Sequence, residues 1–558
     1  MFELSLGTNF ALIIALLITI LFSFVPERFI KPEPPKLSLK TIIIQSLLVS
    51  ILFLCVSLIV QRAVFTALAI SIFLVIMSGV SNAKFAALRE PMVFSDFMMF
   101  SQAFRHPRLY FPFLGLLPVI LMPLIIITLI YTVLTLEPAI ALTLMRVEAS
   151  VAAILLAFFL AKKLALTLEL CQQPAKDNAR HGLLNSLFAY AMHAQTTEHK
   201  EKIDTTLRQA PFSAPASHQT SKKTHTHLYE VFAKPHSSSS RRSAPTLSRQ
   251  NLVSRLFQNN LRQNITVIQS ESFFDARRLD SSIKSSVLEN YDRCKTESMQ
   301  YGKLNVPAWG ANTMRTEFSF LTGLNYDDMG FYRYYPYQYV HQLPVTSLAT
   351  YLKSQGYYCV CIHPHPASFF GRDRIFPKLG FDAFIDIESF DKKDTFGPYI
   401  SDKAVTEKII EITHKNNDKP LFIFAITMEN HGPLHLEKTT VEEQSHFFDK
   451  APIAEINDLT VYLRHLKNAD KMIADLCSAY RQIDQASCLC FYGDHIPSMP
   501  KIYQELDYND QDSDYFIWDN STNNDDLNSE LAEKSLAVDA LAKTLLGLSG
   551  NLNHETKS

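Results

Sequence analysis

The chain has 558 residues, 47% of them apolar and 19% charged, with a formal net charge of −2. Near-neutrality excludes a nucleic-acid binder that relies on a strongly basic face, and the apolar content excludes a mostly disordered chain. The average hides two halves: 20 of the 108 charged residues fall in positions 1–170, a density of about 12% against about 23% beyond.

In chain order, segments 4–25, 41–60, 63–83 and 109–136 carry no charged residue. Each approaches or exceeds the roughly 20 residues needed to cross a bilayer as a helix. A fifth, weaker segment at 149–168 follows Arg146 and Glu148 and is interrupted by Lys162 and Lys163, which can snorkel to an interface. An N-terminal α-helical bundle of about five spans is therefore predicted for residues 1–170. The first segment lacks a basic leader and is followed by further spans, so it reads as an anchor and not as a cleaved signal. Under alternation, Arg28, Lys31, Lys36 and Lys40 share a side with Lys84, Arg89, Arg105 and Arg108, and the positive-inside rule makes that side cytoplasmic. Five spans would then leave the C-terminal half in the cytoplasm; four would leave it outside. Between the third and fourth spans, 89–97 mixes charged and aromatic residues beside Pro91, a pattern that fits an interfacial segment or a plain connector.

Residues 171–250 are assigned to a linker. From about 195 to 250 it is dominated by Ser, Thr, His, Lys and Pro, the composition of a solvated, partly flexible tether; its histidines have no ordered metal-ligand spacing. Beyond it, short apolar runs at 265–269, 357–362, 421–427 and 488–492 read as strands, and 347–354, 403–413 and 459–480 carry helical spacing. Buried strands interleaved with helices predict an α/β domain with a largely parallel sheet over 251–550, followed by a short tail at 551–558.

In open α/β sheets ligands bind at the carboxyl ends of strands. Each of the four strands delivers a polar cluster there: Ser270-Glu271-Ser272, His363-Pro364-His365, Glu429-Asn430-His431-Gly432-Pro433 and Gly493-Asp494-His495. Glu271, Asp494 and His495 form a ligand set suited to a divalent cation such as Mn²⁺ or Zn²⁺. A three-ligand set leaves room for a nucleophile, since metal coordination turns a weakly acidic hydroxyl into an alkoxide near neutral pH. Thr313 is the candidate. It follows the loop Trp309-Gly310-Ala311-Asn312 and opens an apolar helical stretch, where free N–H groups and the helix dipole favour a phosphoryl group. A plain helix N-cap is the alternative for this residue.

These residues resemble the lipoteichoic acid synthase branch of the alkaline phosphatase and sulfatase superfamily, which includes phosphoglycerol and phosphoethanolamine transferases. The resemblance rests on the multi-span N-terminal block, Arg89-Glu90-Pro91 with Ser95-Asp96, Gln269 through Phe273, Asn312-Thr313 with Thr316-Glu317-Phe318 and Leu321-Thr322-Gly323, Phe370-Gly371-Arg372-Asp373, Lys378 through Asp382, Asn430 through Pro433, and Tyr492 through His495, in that order. It implies an alkaline phosphatase/sulfatase-like catalytic domain. Glu271, Thr313, Asp494 and His495 would hold one divalent cation, Mn²⁺ first with Zn²⁺ or Mg²⁺ as alternatives. Thr313 would be the nucleophile, and His431, Arg372 and Phe370 would bind substrate. It further implies a phosphoglycerol-type head group moving from a membrane phospholipid, through a phospho-threonine, to a glycan or polymer hydroxyl. The setting would be the bacterial inner membrane with an extracytoplasmic catalytic domain, a side opposite to the one that five spans and the Lys/Arg count give.

Two departures from the family pattern bear on substrate identity: the loop before Thr313 is poorer in glycine, and Phe370 stands where the synthases carry Trp. No Cys/Ser-x-Pro-x-Arg signature occupies the nucleophile loop, which disfavours a sulfatase proper. The alternatives are phosphoethanolamine transfer, a phosphodiesterase with water as acceptor, or a non-catalytic membrane-tethered protein. Of the eight cysteines, Cys359 and Cys361, and Cys488 and Cys490, are two apart in strand-like runs; they read as buried core thiols.

Overall fold

The computed structural model describes residues 2–99, 137–212, 263–340, 345–416, 418–450, 456–521 and 533–549, with scattered positions between 124 and 135. Most of the predicted span at 109–136, residues 213–250 of the linker and the tail at 551–558 lie outside the described residues. The chain divides into two compact units, Met1–Ile203 with Gly330–Tyr334, and Asp204–Met329 with Tyr335–Ser558.

The first unit is helical. Among the described residues, four helices are long and apolar enough to cross a membrane; they lie in Phe2–Glu27, Leu39–Val60, Ala63–Leu88 and Leu144–Ala165. Ser38 and Thr143 start two of them by accepting the N–H of Thr41 and Arg146, as N-cap side chains do. Large apolar side chains such as Leu21, Ile59, Leu144 and Phe159 face outward, where lipid would cover them. The span weakest in sequence packs through small residues: Ala157, Ala161 and Ala165, four apart, are buried, and the last two meet Ile44 and Leu48 of Leu39–Val60. A stripe of small residues lets helix backbones approach closely where lipid offers no hydrophobic drive. Its Lys162 and Lys163 fall in the last turn.

The segment at 89–97 is a polar knot rather than a plain connector. Lys84 Nζ reaches Glu90 at 2.8 Å and Asp96 at 2.7 Å, and Asp96 also accepts the Val93 N–H at 2.8 Å.

One expectation about organisation changes. Residues read as the start of the linker form the helices Pro174–His181, Leu183–Ala194 and Thr197–Arg208. Their aromatic and apolar residues have a partner that local composition did not show, the distant segment Gly330–Tyr334. Tyr332 Oη donates to Ala194 O and Tyr334 Oη to Gln172 O, both at 2.8 Å, and Phe331 packs edge-on against Tyr190 and His199.

The second unit is built on an eight-stranded sheet. Its strands are β1 (Asn264–Ser270), β2 (Gln300–Asn305), β3 (Tyr358–Ile362), β4 (Ala383–Ile385), β7 (Leu421–Ile426), β8 (Ser487–Gly493), β9 (Ser513–Asp519) and β10 (Leu536–Ala537); β5 (Thr395–Phe396) and β6 (Tyr399–Ile400) form a separate hairpin. The order is β10-β2-β9-β8-β1-β7-β3-β4, parallel except for β9, which runs against both neighbours. The four strands read from sequence are the contiguous centre β8-β1-β7-β3. Both faces are covered, which is why those runs are apolar throughout. On one face Phe424 and Tyr492 stack on Phe320 of the helix Thr313–Thr322. On the other, Ile423, Ala425, Leu489 and Phe491 pack with Leu466, Ile473 and Tyr480 of the helix Ile456–Arg481. The four strand cysteines are fully buried.

Candidate active site

Because β8, β1, β7 and β3 are adjacent and parallel, their carboxyl ends bring the four polar clusters to one edge. After β1 the chain turns through Ser272, whose φ is +57°; Tyr462 Oη holds its carbonyl at 2.7 Å, and its N–H donates to Asp494 Oδ1 at 2.8 Å. After β8, Gly493 allows this approach, since a Cβ there would lie 1.8 Å from Phe273 O.

Glu271, Asp494 and His495 converge, with one ligand atom from each lying within 4.8 Å of the others. His495 Nε2 is 3.3 Å from Asp494 Oδ2 and 3.7 Å from Glu271 Oε1. All three residues are buried. Asp494 Oδ2 and His495 Nε2 have no hydrogen-bond partner. His495 Nδ1 sits 3.0 Å from Ile496 O, so the N–H belongs on Nδ1 and the Nε2 lone pair faces the carboxylates. Burial, then the Asp494 charge, push the Glu271 carboxyl up to about 8. Unpaired acceptors packed together out of water are costly unless a cation joins them. The donor set of two carboxylate oxygens and one imidazole fits a divalent ion.

Thr313 is the first residue of the helix Thr313–Thr322, preceded by Asn312 in the left-handed region at φ +70°. Gly310, also left-handed, pairs with Pro497 and donates its N–H to Ile496 O at 3.1 Å. One turn into the helix, Thr316 Oγ1 donates to Asp494 O at 2.7 Å. The helix start is thereby tied to the segment that carries Asp494 and His495.

The same helix holds Arg372. Glu317, four residues after Thr313, accepts Arg372 Nη2 at 2.7 Å and Nε at 3.2 Å, and both residues are fully buried. Tyr337 Oη donates to the same carboxylate. His363 Nδ1 lies 3.2 Å from Ile426 O, which places its N–H there and leaves Nε2 to accept Arg372 Nη1 at 3.2 Å. Burial and the Arg372 charge hold the His363 imidazole well below its usual value, hence neutral. The Phe370 ring lies under the guanidinium, 5.1 Å from its carbon.

His431 gives its Nδ1–H to Gly432 O at 2.7 Å, and Tyr399 of β6 packs edge-on against it. Burial pushes its basicity down, partly countered by Gly432 O and the Asp494 charge. The loop carrying it is fixed through Glu429, which accepts His465 Nδ1 at 3.0 Å, Asn468 Nδ2 at 2.5 Å and the Asp402 N–H at 2.7 Å.

Three residues that matter here were not singled out as site residues. Glu317 lies on the Thr313 face of a helix at i+4, a signal the spacing contained. His363 was part of a strand-end cluster. His465 left no local signal, since its partner is 36 residues away.

A profile of the sulfatase family matches residues 263–551. The chain is 30% identical over 256 residues to the capsular polysaccharide biosynthesis protein RkpI of Rhizobium meliloti, covering 45% of this chain and 44% of that one. It is 25% identical over 151 residues to lipoteichoic acid synthase 1 of Bacillus subtilis, covering 26% and 22%. It spans less than half the length of the curated relatives it matches. Among solved structures it is similar to the phosphoglycerol transferase GacH of Streptococcus pyogenes in complex with sn-glycerol-1-phosphate, at 25% identity and a TM-score of 0.40, covering 53% of this chain and 78% of that one. With the profile matched over half of its length, and with a mostly parallel sheet carrying the site at its strand ends, the chain belongs to the sulfatase family.

Proposed function

We propose that this phosphotransferase-like enzyme of the sulfatase superfamily moves a phosphoglycerol head group from phosphatidylglycerol to an envelope glycan or polymer hydroxyl, at the extracytoplasmic face of the bacterial inner membrane. The observation that carries the reading is the set of buried, unpartnered acceptors of Asp494 and His495 beside Glu271, tied to the start of the Thr313 helix. The phosphoglycerol assignment is supported by the family resemblance of the motifs and by the likeness to a lipoteichoic acid synthase.

Glu271, Asp494 and His495, with Thr313, would hold one divalent cation, Mn²⁺ by family resemblance. When bound, such an ion lowers the pKa of a coordinated hydroxyl and offsets phosphoryl charge. In the first step Thr313 Oγ1 forms the new bond to phosphorus as the bond to the diacylglycerol oxygen breaks; the threonine proton is given up and the departing oxygen gains one. In the second step an acceptor hydroxyl attacks the same phosphorus, and Thr313 leaves and is reprotonated. His431 suits the attacking-hydroxyl proton, because its Nδ1–H is committed to Gly432 O and its lowered basicity keeps Nε2 unprotonated near neutrality. Arg372 has bonds from Nε, Nη1 and Nη2 to Glu317 and His363, which fix its plane and leave further N–H groups for a phosphoryl oxygen. On the extracytoplasmic side the basic residues at 28–40 and 84–108 would meet anionic lipid head groups.

The test is intact-mass analysis of the full-length chain in detergent with Mn²⁺ and either phosphatidylglycerol or phosphatidylethanolamine, with Thr313→Ala in parallel and metal content measured on each sample. A phosphoglycerol adduct on the wild type alone is expected. An ethanolamine-phosphate adduct would reassign the donor, and lipid turnover that survives in Thr313→Ala would remove the covalent step.

A further inference from the structure

The helix Glu289–Glu297 lies along the helix Ile456–Arg481 and is pinned at both ends. At its start Asp470 accepts the N–H of Tyr291 at 2.7 Å and Asn290 Nδ2 at 2.8 Å. At its end Glu297 pairs with Arg481. Between the pins, Cys294 Sγ and Cys477 Sγ stand 3.4 Å apart, each about 1% exposed and inside the same apolar cluster. The contacts run in the same direction along both helices, 290 with 470, 294 with 477 and 297 with 481, so the two polar clasps bracket the facing sulfurs.

A disulfide needs its sulfurs about 2.05 Å apart, so closure asks for roughly 1.4 Å shared between two side chains. Among the described residues, the one hydrogen-bond partner of each sulfur is the other. Their separation of 183 positions along the chain means that a bond between them would close a loop containing the Thr313 helix, Arg372 and His431.

We propose that Cys294 and Cys477 form an intramolecular disulfide in the mature protein. The proposal rests on the extracytoplasmic reading above, since disulfides persist on that side of the membrane and thiols on the other. The two thiols lose two protons and two electrons as the S–S bond forms, and an envelope protein disulfide takes the electrons and becomes a dithiol. Burial of the sulfurs in the folded unit puts this exchange during folding, before the helix docks, because an incoming disulfide must reach one thiolate. The bond then locks the helix pair that the Asp470 and Arg481 clasps bracket, and restricts the unfolded chain most strongly where the closed loop is long.

The test takes full-length protein from bacterial membranes, blocks thiols in acid-quenched lysate with iodoacetamide, and maps peptides without reductant. The expected result is a Cys294 peptide linked to a Cys477 peptide as the dominant form, with Cys359, Cys361, Cys488 and Cys490 alkylated. Both Cys294 and Cys477 alkylated would overturn the proposal. A second arm refolds the reduced protein with oxidised glutathione: closure there after failure in cells places the fault in the side of the membrane, and failure in both arms in the pair itself. The Thr313 adduct is read separately, so loss of the disulfide leaves the phosphotransfer reading to its own test.

Discussion

Two clusters on the catalytic unit, each around a buried imidazole, have the same ingredients, two carboxylates and one imidazole, and opposite states of satisfaction. In the cluster of Glu429, His465 and Glu437, His465 Nε2 meets Glu437 at 2.8 Å and Nδ1 meets Glu429 at 3.0 Å; Glu437 also accepts Arg464 at 3.0 Å. In the cluster of Glu271, Asp494 and His495, Asp494 Oδ2 and His495 Nε2 are left without a partner. Burial opposes protonation of His465, yet Glu429 and Glu437 raise it to about 9, so that cluster closes its own charge balance. The other is electrostatically incomplete. Residue type alone therefore does not tell a candidate cation site from a structural clasp; the hydrogen-bond inventory separates the two clusters.

The largest effect should come from the incomplete side. Thr313→Ala is expected to lower lipid turnover by about 10⁴-fold or more, as removal of a nucleophile does, with the fold intact by circular dichroism; turnover within tenfold of wild type would detach the Thr313 helix from the chemistry. Next, Glu317→Gln leaves the fully buried Arg372 without its counter-charge, and should cost about 3–5 kcal/mol in denaturant unfolding of the full chain in detergent.

The satisfied cluster should answer to pH. His465 is protonated more readily when folded, so its contribution is fully present below its ordinary value of 6.5 and is lost as pH rises to about 9. His465→Asn should lose about 2–4 kcal/mol near neutrality and flatten the fall in unfolding midpoint across that window; an unchanged slope would break the contrast. The smallest effect is expected at Phe370→Leu, which removes the ring under Arg372: about 1 kcal/mol, read as a several-fold rise in KM with kcat little changed.

The centre of the sheet was legible because β8, β1, β7 and β3 are covered on both faces, which writes an unbroken apolar run into the sequence. The observed β1 and β7 bounds, Asn264–Ser270 and Leu421–Ile426, fall within a residue of the reading. β2 was missed because Gln300–Asn305 alternates buried and partly exposed residues with Gln, Lys and Asn among them. β9 follows a polar loop and runs antiparallel to its neighbours. β10 has two residues. The helices at 174–208 fall in the region read as linker because their aromatic residues find their partners in Gly330–Tyr334, over a hundred positions away. Strand-end position and residue type single out Glu271, Asp494 and His495 as candidates, and the structure brings one ligand atom from each within 4.8 Å of the others. Glu317 and His465 act by pairing with distant charges, Arg372 and Glu429, and such pairing is a property of the folded chain.

The most direct measurement is metal content after equilibrium dialysis of the full-length chain against Mn²⁺, for the wild type, Asp494→Asn and Glu429→Gln. The account predicts one ion per wild-type chain, retention in Glu429→Gln, and an affinity loss of at least about 100-fold in Asp494→Asn, beyond the usual effect of an outer hydrogen-bond partner. A wild-type chain that binds no ion, or an Asp494→Asn chain that binds it undiminished, would contradict it.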